Sequence, residues 1–339
     1  MNAFLGLQLP VFMPDATSGA VRTLTTKQLT DTGTKMVVVN TFHLLLSYGE
    51  EALKMLGGIG SQMDWNGNVL SDSGGFQVYS LIHRNPGVGK VTQHGAFFRS
   101  PRDGQHMQLT PEGSIDMQVA IGSDVLIVLD DCRHSEINRK EAELSVANTT
   151  RWAYRAKEHF MKKYPRESSE KKLFAVIQGG GYEDLREKSA TELVKLDFDG
   201  YCFGGWPVDT NGVLVDEILG YTADLLPDDK PKYAMGVGNP WDIEKCYHMG
   251  YTLFDCVIPT RNARHGQLFT RDGILRITAS QYKRDVSPVD DECGCETCTR
   301  YSRAYLHHLF KARESTAKTL ATIHNVTYYQ QYVGRMRDA

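Results

Sequence analysis

Leu253-Phe-Asp-Cys-Val-Ile-Pro-Thr-Arg-Asn-Ala-Arg-His-Gly266 runs from an apolar, strand-like segment into one carboxylate, Asp255, and then into Arg261, Arg264 and His265. A strand that ends in a carboxylate sets a nucleophile or a base at the rim of a sheet or barrel. Two arginines just beyond it make an anion grip, because planar guanidinium groups match phosphate oxygens bidentately. Taken by itself, the stretch reads equally well as a strand followed by a solvated polar loop. Seven earlier runs of the same kind change that balance: 9–14, 35–41, 69–73, 125–131, 173–178, 200–205 and 233–238, with this one at 253–257. Most are too apolar to alternate in and out, as expected of parallel strands buried on both faces. Helix-like stretches at 26–32, 111–120, 139–163, 182–195, 213–226 and 240–248 separate them. Eight strands alternating with helices over about 250 residues read as an α/β fold of the (β/α)8 TIM-barrel type. A doubly wound open sheet is disfavoured, because no glycine-rich phosphate fingerprint opens the first βα turn.

Barrel enzymes gather their active sites at the C-terminal strand ends. Here those ends read Asn40-Thr41, Asp72-Ser73-Gly74-Gly75, Asp130-Asp131-Cys132, Gln178-Gly179-Gly180, Gly204-Gly205, Met235-Gly236-Val237-Gly238 and Asp255-Cys256. Carboxylates, an amide and paired glycines recur at one structural place. Glycines there let a flat ligand or a backbone come close. One or two polar rims arise by accident; a run of seven points to a catalytic mouth.

Composition sets outer bounds. The 339 residues are 41% hydrophobic and 23% charged, as in ordinary globular proteins, and suffice for one large domain with a small appendage or for two domains. A net charge of -3 leaves no global basic field, so a nucleic-acid site has to be a local patch. No stretch approaches the length of a membrane span, and Met1-Asn-Ala-Phe-Leu-Gly6 has no basic leader character. A cytoplasmic location is the expectation.

Of seven cysteines, Cys132, Cys202, Cys246 and Cys256 are scattered, which argues against a disulfide framework. The other three form Cys293-Gly-Cys295-Glu-Thr-Cys298 within a turn rich in Asp, Pro and Gly, and His324 follows after residues 299–323. A tight thiolate turn joined by one distant imidazole assembles a tetrahedral Cys3His site for Zn2+, closed and therefore structural. His307 and His308 compete with His324 for the fourth place. The sequence divides into a barrel over 1–280 and a zinc-binding subdomain with C-terminal helices over 281–339.

Six motifs resemble those of the tRNA-guanine transglycosylases, bacterial type: Leu70-Ser-Asp-Ser-Gly-Gly-Phe-Gln77, Leu129-Asp-Asp-Cys132, Ile177-Gln-Gly-Gly180, Met235-Gly-Val-Gly238, 254–264 and the Cys293 to His324 pattern. Asn40-Thr-Phe-His-Leu44 and Phe98-Arg-Ser-Pro-Arg-Asp-Gly104 fit as well, so the resemblance covers about residues 8 to 330 in order. It implies exchange of the wobble guanine of GUN-anticodon tRNAs (Tyr, His, Asn, Asp) for a 7-deazaguanine, without strand cleavage. It implies Asp255 as nucleophile and Asp72 as general acid/base, the chemistry of a retaining glycosidase. It further implies a base pocket of Asp130, Gln178, Gly205, Ser73, Phe76, Cys132, Met235, Gly236 and Val208. Phosphate contacts from Arg261, Arg264 and Thr260, His324 as the fourth metal ligand, and a homodimer follow in the same way. Read alone, Phe76 and Met235 serve equally as core filler, and Asp130 as a helix cap.

The chain departs from the bacterial pattern after Gly205. Trp206-Pro-Val-Asp-Thr210 stands where Leu-Ala-Val-Gly-Glu is common, and Asp131 where Glu is frequent. Val208 favours the small base preQ1; queuine in the same exchange, or a related exchange on DNA, is the alternative. A non-catalytic RNA-binding subunit would have no need of both Asp72 and Asp255. A hydrolase of small nucleosides would have no need of the arginine pair or the metal segment.

Overall fold

The computed structural model describes residues 3–133, 137–165 and 170–338; residues 1, 2 and 339, at the outer limits of the two expected domains, lie outside them. Eight parallel strands make one sheet: β1 (Val11–Pro14), β2 (Met36–Val39), β3 (Asn68–Ser71), β4 (Val125–Ile127), β5 (Lys172–Ile177), β6 (Gly200–Phe203), β7 (Lys232–Ala234) and β8 (Leu253–Cys256). They pair in chain order from β2 to β8, and β1 adds to β8 with Leu253 opposite Val11. A parallel bridge between Asp15 and Val38, with Ala16 N–H donating to the Val38 carbonyl at 2.7 Å, brings β1 back to β2 and closes the ring. The eight expected strands are all present, although the runs at 125–131 and 233–238 leave the ladder after Ile127 and Ala234 while staying largely buried.

Side-chain alternation divides the strands between two layers. Val11, Met13, Met36, Val38, Leu70, Tyr233 and Leu253 share one buried cluster, the barrel interior. Their neighbours Val37, Val39 and Val69, and Phe12, Ala234 and Phe254, face outward into two clusters under the helices. Asp72, two residues after Leu70, and Asp255, two after Leu253, therefore continue the inward phase to the C-terminal rim. An N-terminal hairpin (Ala3–Phe4 with Leu7–Gln8) covers the opposite end, where Phe4 meets Phe174 with ring centroids 5.5 Å apart.

Local signals explain the helices. Asn138 caps Arg139–Lys163 in a reciprocal capping box with Glu141. Pro111 and Pro240 open their helices at positions where no N–H partner is needed. Several elements were not read from the sequence, among them the N-terminal hairpin, the short helices between 41 and 84 and three features near the mouth. A three-stranded antiparallel sheet (Gly89–Thr92, Gly95–Arg99, His106–Leu109) is inserted after the helix Gly75–Arg84. Arg261 and Arg264 lie on a helix, Ile258–Arg264, rather than in a loop. A hairpin of Gln267–Thr270 and Gly273–Arg276 follows.

The last helix, Ser315–Asp338, joins both parts of the molecule. Its first turns carry Ala317, Leu320, Ala321 and Ile323 into a cluster with the three grouped cysteines. Its later turns lie on the barrel, where Tyr329 OH bonds the Gly238 carbonyl at 2.5 Å and Gln330 bonds the Phe12 carbonyl at 3.1 Å. Among the described residues no helix is long and apolar enough to cross a membrane.

Candidate active site

Asp72 and Asp255 face the same mouth from β3 and β8, but their surroundings differ. The Asp255 carboxylate accepts from Tyr233 OH at 2.6 Å and from Gly236 N–H at 2.8 Å, both on the same oxygen. Burial raises its pKa, Tyr233 and Gly236 oppose that shift, and Asp15 adds to it. Asp72 accepts from Thr41 N–H at 2.8 Å, Gly74 N–H at 3.2 Å and Asn40 Nδ2 at 2.5 Å. Burial lifts its pKa to about 7; the two N–H groups pull it down, and the negative charge of Asp255 pushes it further up. One group thus titrates in the neutral range, as a proton-transfer group should, while on the other two donors partly offset the rise that burial causes.

The flat site beside them is built from backbone proximity. A side chain at Gly75 would stand 2.7 Å from the Asp130 carbonyl, and one at Gly204 would stand 2.7 Å from Gln178 Nε2, so both positions require glycine. Asp130 is buried and is no helix cap: its oxygens accept from Ser73 Oγ at 3.1 Å and Gln178 Nε2 at 2.8 Å. Burial first, with the charge of Asp131 adding, brings its pKa to about 6. Asp131 is held by Arg133 and by Asn148 Nδ2 at 2.8 Å. Cys132 is buried, and burial keeps its thiol neutral.

Phe76 is 44% exposed, which excludes a core-filling role, and its ring centroid lies 6.0 Å from that of Trp206. Met235 is half-buried at the edge of the inner cluster. Val208 pairs with Leu214 across the following loop, and Asp209 turns back on that loop by accepting from Asn211 and Val213 N–H. A small cleft of about 50 Å³ continues from Gln178 and Gly205 between Trp206 and Arg133.

Arg261 is exposed and Arg264 half-buried, with Arg264 Nη1 buried and without a hydrogen-bond partner. Burial, then the nearby Arg22 cation, lowers the Arg264 pKa. An anion would relieve both. Thr260 is buried, with its hydroxyl on the Val257 carbonyl at 3.2 Å.

At the far end of the last helix's first half, Cys293, Cys295, Cys298 and His324 are all buried, with ligand atoms within 4.8 Å of one another. This cluster could hold a metal ion. Tetrahedral thiolates about 2.3 Å from a metal stand about 3.8 Å from each other; His324 Nδ1 lies 3.8 Å from Cys295 Sγ and 3.2 Å from Cys298 Sγ. His324 Nε2 donates to the Phe269 carbonyl at 2.7 Å, which leaves the Nδ1 lone pair for the ion. His307 bonds the Ile277 carbonyl instead, and neither it nor His308 joins the cluster.

Three residues of the mouth were given no role in the sequence reading. Tyr233 precedes Met235 by two positions, so inward phase was its available signal. Asn40 stood at a strand end among the expected rim residues, without a role. Arg186, buried beneath Gln178 and Gly205, gave no signal, since an arginine in a helix ordinarily reads as solvent-facing.

A family model described as queuine tRNA-ribosyltransferase matches residues 5–339. Curated proteins named queuine tRNA-ribosyltransferase are similar over 98% of this chain: 42% identical in Baumannia cicadellinicola subsp. Homalodisca coagulata, over 88% of that protein. The corresponding figures are 43% and 85% in Thermodesulfovibrio yellowstonii, and 42% and 87% in Aliivibrio salmonicida.

Proposed function

Because the chain belongs to the queuine tRNA-ribosyltransferase family, and is with it a pentosyltransferase acting on tRNA guanine, we propose that it replaces the wobble guanine of GUN-anticodon tRNAs by double displacement at the ribose C1′. A carboxylate oxygen of Asp255 attacks C1′, and the electron pair of the C1′–N9 bond leaves with guanine. Protonated Asp72 supplies the proton that the departing base takes up. The incoming 7-deazaguanine then gives a proton to Asp72, attacks C1′ and displaces Asp255, so configuration is retained and kinetics are ping-pong. Asp130 addresses the N1–H and 2-amino edge of the base, with Ser73 holding Asp130; Gln178 and Gly205 address O6. Phe76 and Met235 flank the ring, and Cys132 and Gly236 complete the wall. The target nucleotide must leave its stack to reach this depth.

The observation that carries this reading is the unlike setting of two carboxylates in one inward phase, one titrating near neutrality and one braced by Tyr233 and Gly236. Arg261 and Arg264 are proposed to bind anticodon-loop phosphates, with Thr260 fixing the turn that bears them. Val208 favours preQ1 over queuine. The donor set and its spacing suit Zn2+, held as a structural ion by residues of a 281–339 subdomain on the 1–280 barrel. A homodimer fits the exposed Val286 and the stacked Tyr301 and Tyr305 beside that site.

Mass spectrometry of an unmodified tRNA-Tyr transcript, incubated with the protein and separately with preQ1, queuine or preQ0, tests the reading. Incorporation of preQ1 at the wobble position is expected, and Asp255→Asn should leave no covalent adduct on a denaturing gel. Folded, metal-loaded protein that incorporates none of the bases would overturn it.

A further inference from the structure

Arg186 is 2% exposed, and among the described residues no carboxylate lies within ion-pair distance of it. Its guanidinium donates instead to three main-chain carbonyls at the rim: Nε to Gly180 at 3.0 Å, Nη1 to Ile177 at 2.7 Å and Nη2 to Gly204 at 3.0 Å. Its plane lies over Phe203, 4.2 Å from the ring centroid. Burying a cation without a counter-charge is costly, and apolar packing would fill the space more cheaply if filling were the need. Burial lowers its pKa to about 10, which still leaves it charged at neutral pH.

The connectivity of the main chain gives that charge an outlet. The Gly204 carbonyl that accepts from Nη2 belongs to the same peptide group as the Gly205 N–H. A peptide polarised at its oxygen becomes a stronger donor at its nitrogen. Gly205 has φ +93°, with Gln178 Oε1 3.8 Å from where its Cβ would be, and its N–H is directed at the thiol of Cys132, whose place a 6-oxo group would take. A guanine leaving C1′ carries negative charge into its ring and 6-oxo group, and fixed donors aimed at developing charge are strong rate terms.

We propose that Arg186 is a positioning residue for the transfer step, polarising the Gly204–Gly205 peptide so that the Gly205 N–H stabilises the 6-oxo group of the departing base. This rests on the base-exchange reading above. The test measures exchange of labelled guanine into tRNA by wild type, Arg186→Gln and Arg186→Lys, with metal content and near-UV circular dichroism as checks of folding. The Gln variant should lose about tenfold or more in kcat while KM for tRNA moves less than about threefold, and Lys, which keeps the charge, should fall between. Isotope-edited infrared spectroscopy of [6-13C]guanine bound to wild type should place the carbonyl band below its position in water. A folded Gln variant with wild-type kcat overturns the inference; a wild-type band no lower than in water overturns it whether or not the variants fold. Wild type that exchanges no guanine overturns the base-exchange reading itself, and the inference with it.

Discussion

Tyr233→Phe removes one hydroxyl and nothing else from the site. The ring stays in the barrel interior, and Gly236 N–H remains on the same Asp255 oxygen at 2.8 Å. The lost bond, 2.6 Å to an ionised carboxylate, belongs to the class that contributes roughly 1.5–3 kcal/mol. Since 1.36 kcal/mol corresponds to one pKa unit, Asp255 should titrate about 1 to 2 units higher in the variant. The donor favours the charged form, so its removal raises the pKa. In the proposed roles Asp255 must be ionised as nucleophile and Asp72 protonated as acid, so kcat, which reports the complex in which Asp130 is already engaged by the base, should be bell-shaped in pH. The acidic limb belongs chiefly to Asp255 and the basic limb, near 7, chiefly to Asp72 (the two are coupled, so both limbs are properties of the pair). The variant's acidic limb should move toward the basic limb by one to two units, narrowing the bell and lowering its peak. Steady-state exchange of labelled guanine between pH 4 and 9 measures this. An acidic limb that stays in place, with the variant folded, would refute the assignment of that limb to Asp255.

Two further outcomes are expected. Cys295→Ser, or prolonged chelation of the wild type, should lower metal content and melting temperature together, because an ion held by the cluster would tie Ser315–Asp338 to the cysteine turn; zinc analysis with differential scanning calorimetry checks it. Arg264→Ala should weaken tRNA binding and reduce the slope of log Kd against log salt by about 0.7, the value for one phosphate contact on a single strand; titration over several salt concentrations checks it.

The barrel was legible because each strand is a short apolar run bounded by turn residues. The helices Arg139–Lys163 and Pro240–His248 were legible to the residue, since a capping Asn and an N-terminal Pro mark their starts. The inserted sheet was not: Gly89–Thr92 and His106–Leu109 are short and mostly half-exposed, and carry no apolar stripe. Helix Ile258–Arg264 announced itself in Pro259, but two arginines obscured its narrow apolar face of Pro259 and Ala263. The carboxylates of the mouth could be found because they terminate strands. Tyr233 and Arg186 could not, because the hydroxyl of a tyrosine in an apolar run looks like core, and whether a helix-borne arginine is buried depends on contacts far along the chain.

The order of strands in the ring also bears on how the chain is made. β1 pairs along its length with β8, and toward β2 it offers the bridge at Asp15. Leu253 lies 253 − 11 = 242 positions beyond its partner Val11. At ~5–20 residues per second of synthesis, roughly 12 to 50 s separate the two segments as they leave the ribosome. Throughout that interval Val11, Phe12 and Met13, all buried in the finished barrel, form an open apolar edge on the nascent chain. Ring closure is therefore a late event in synthesis, and the first barrel strand to be made is the last to be fully sheltered.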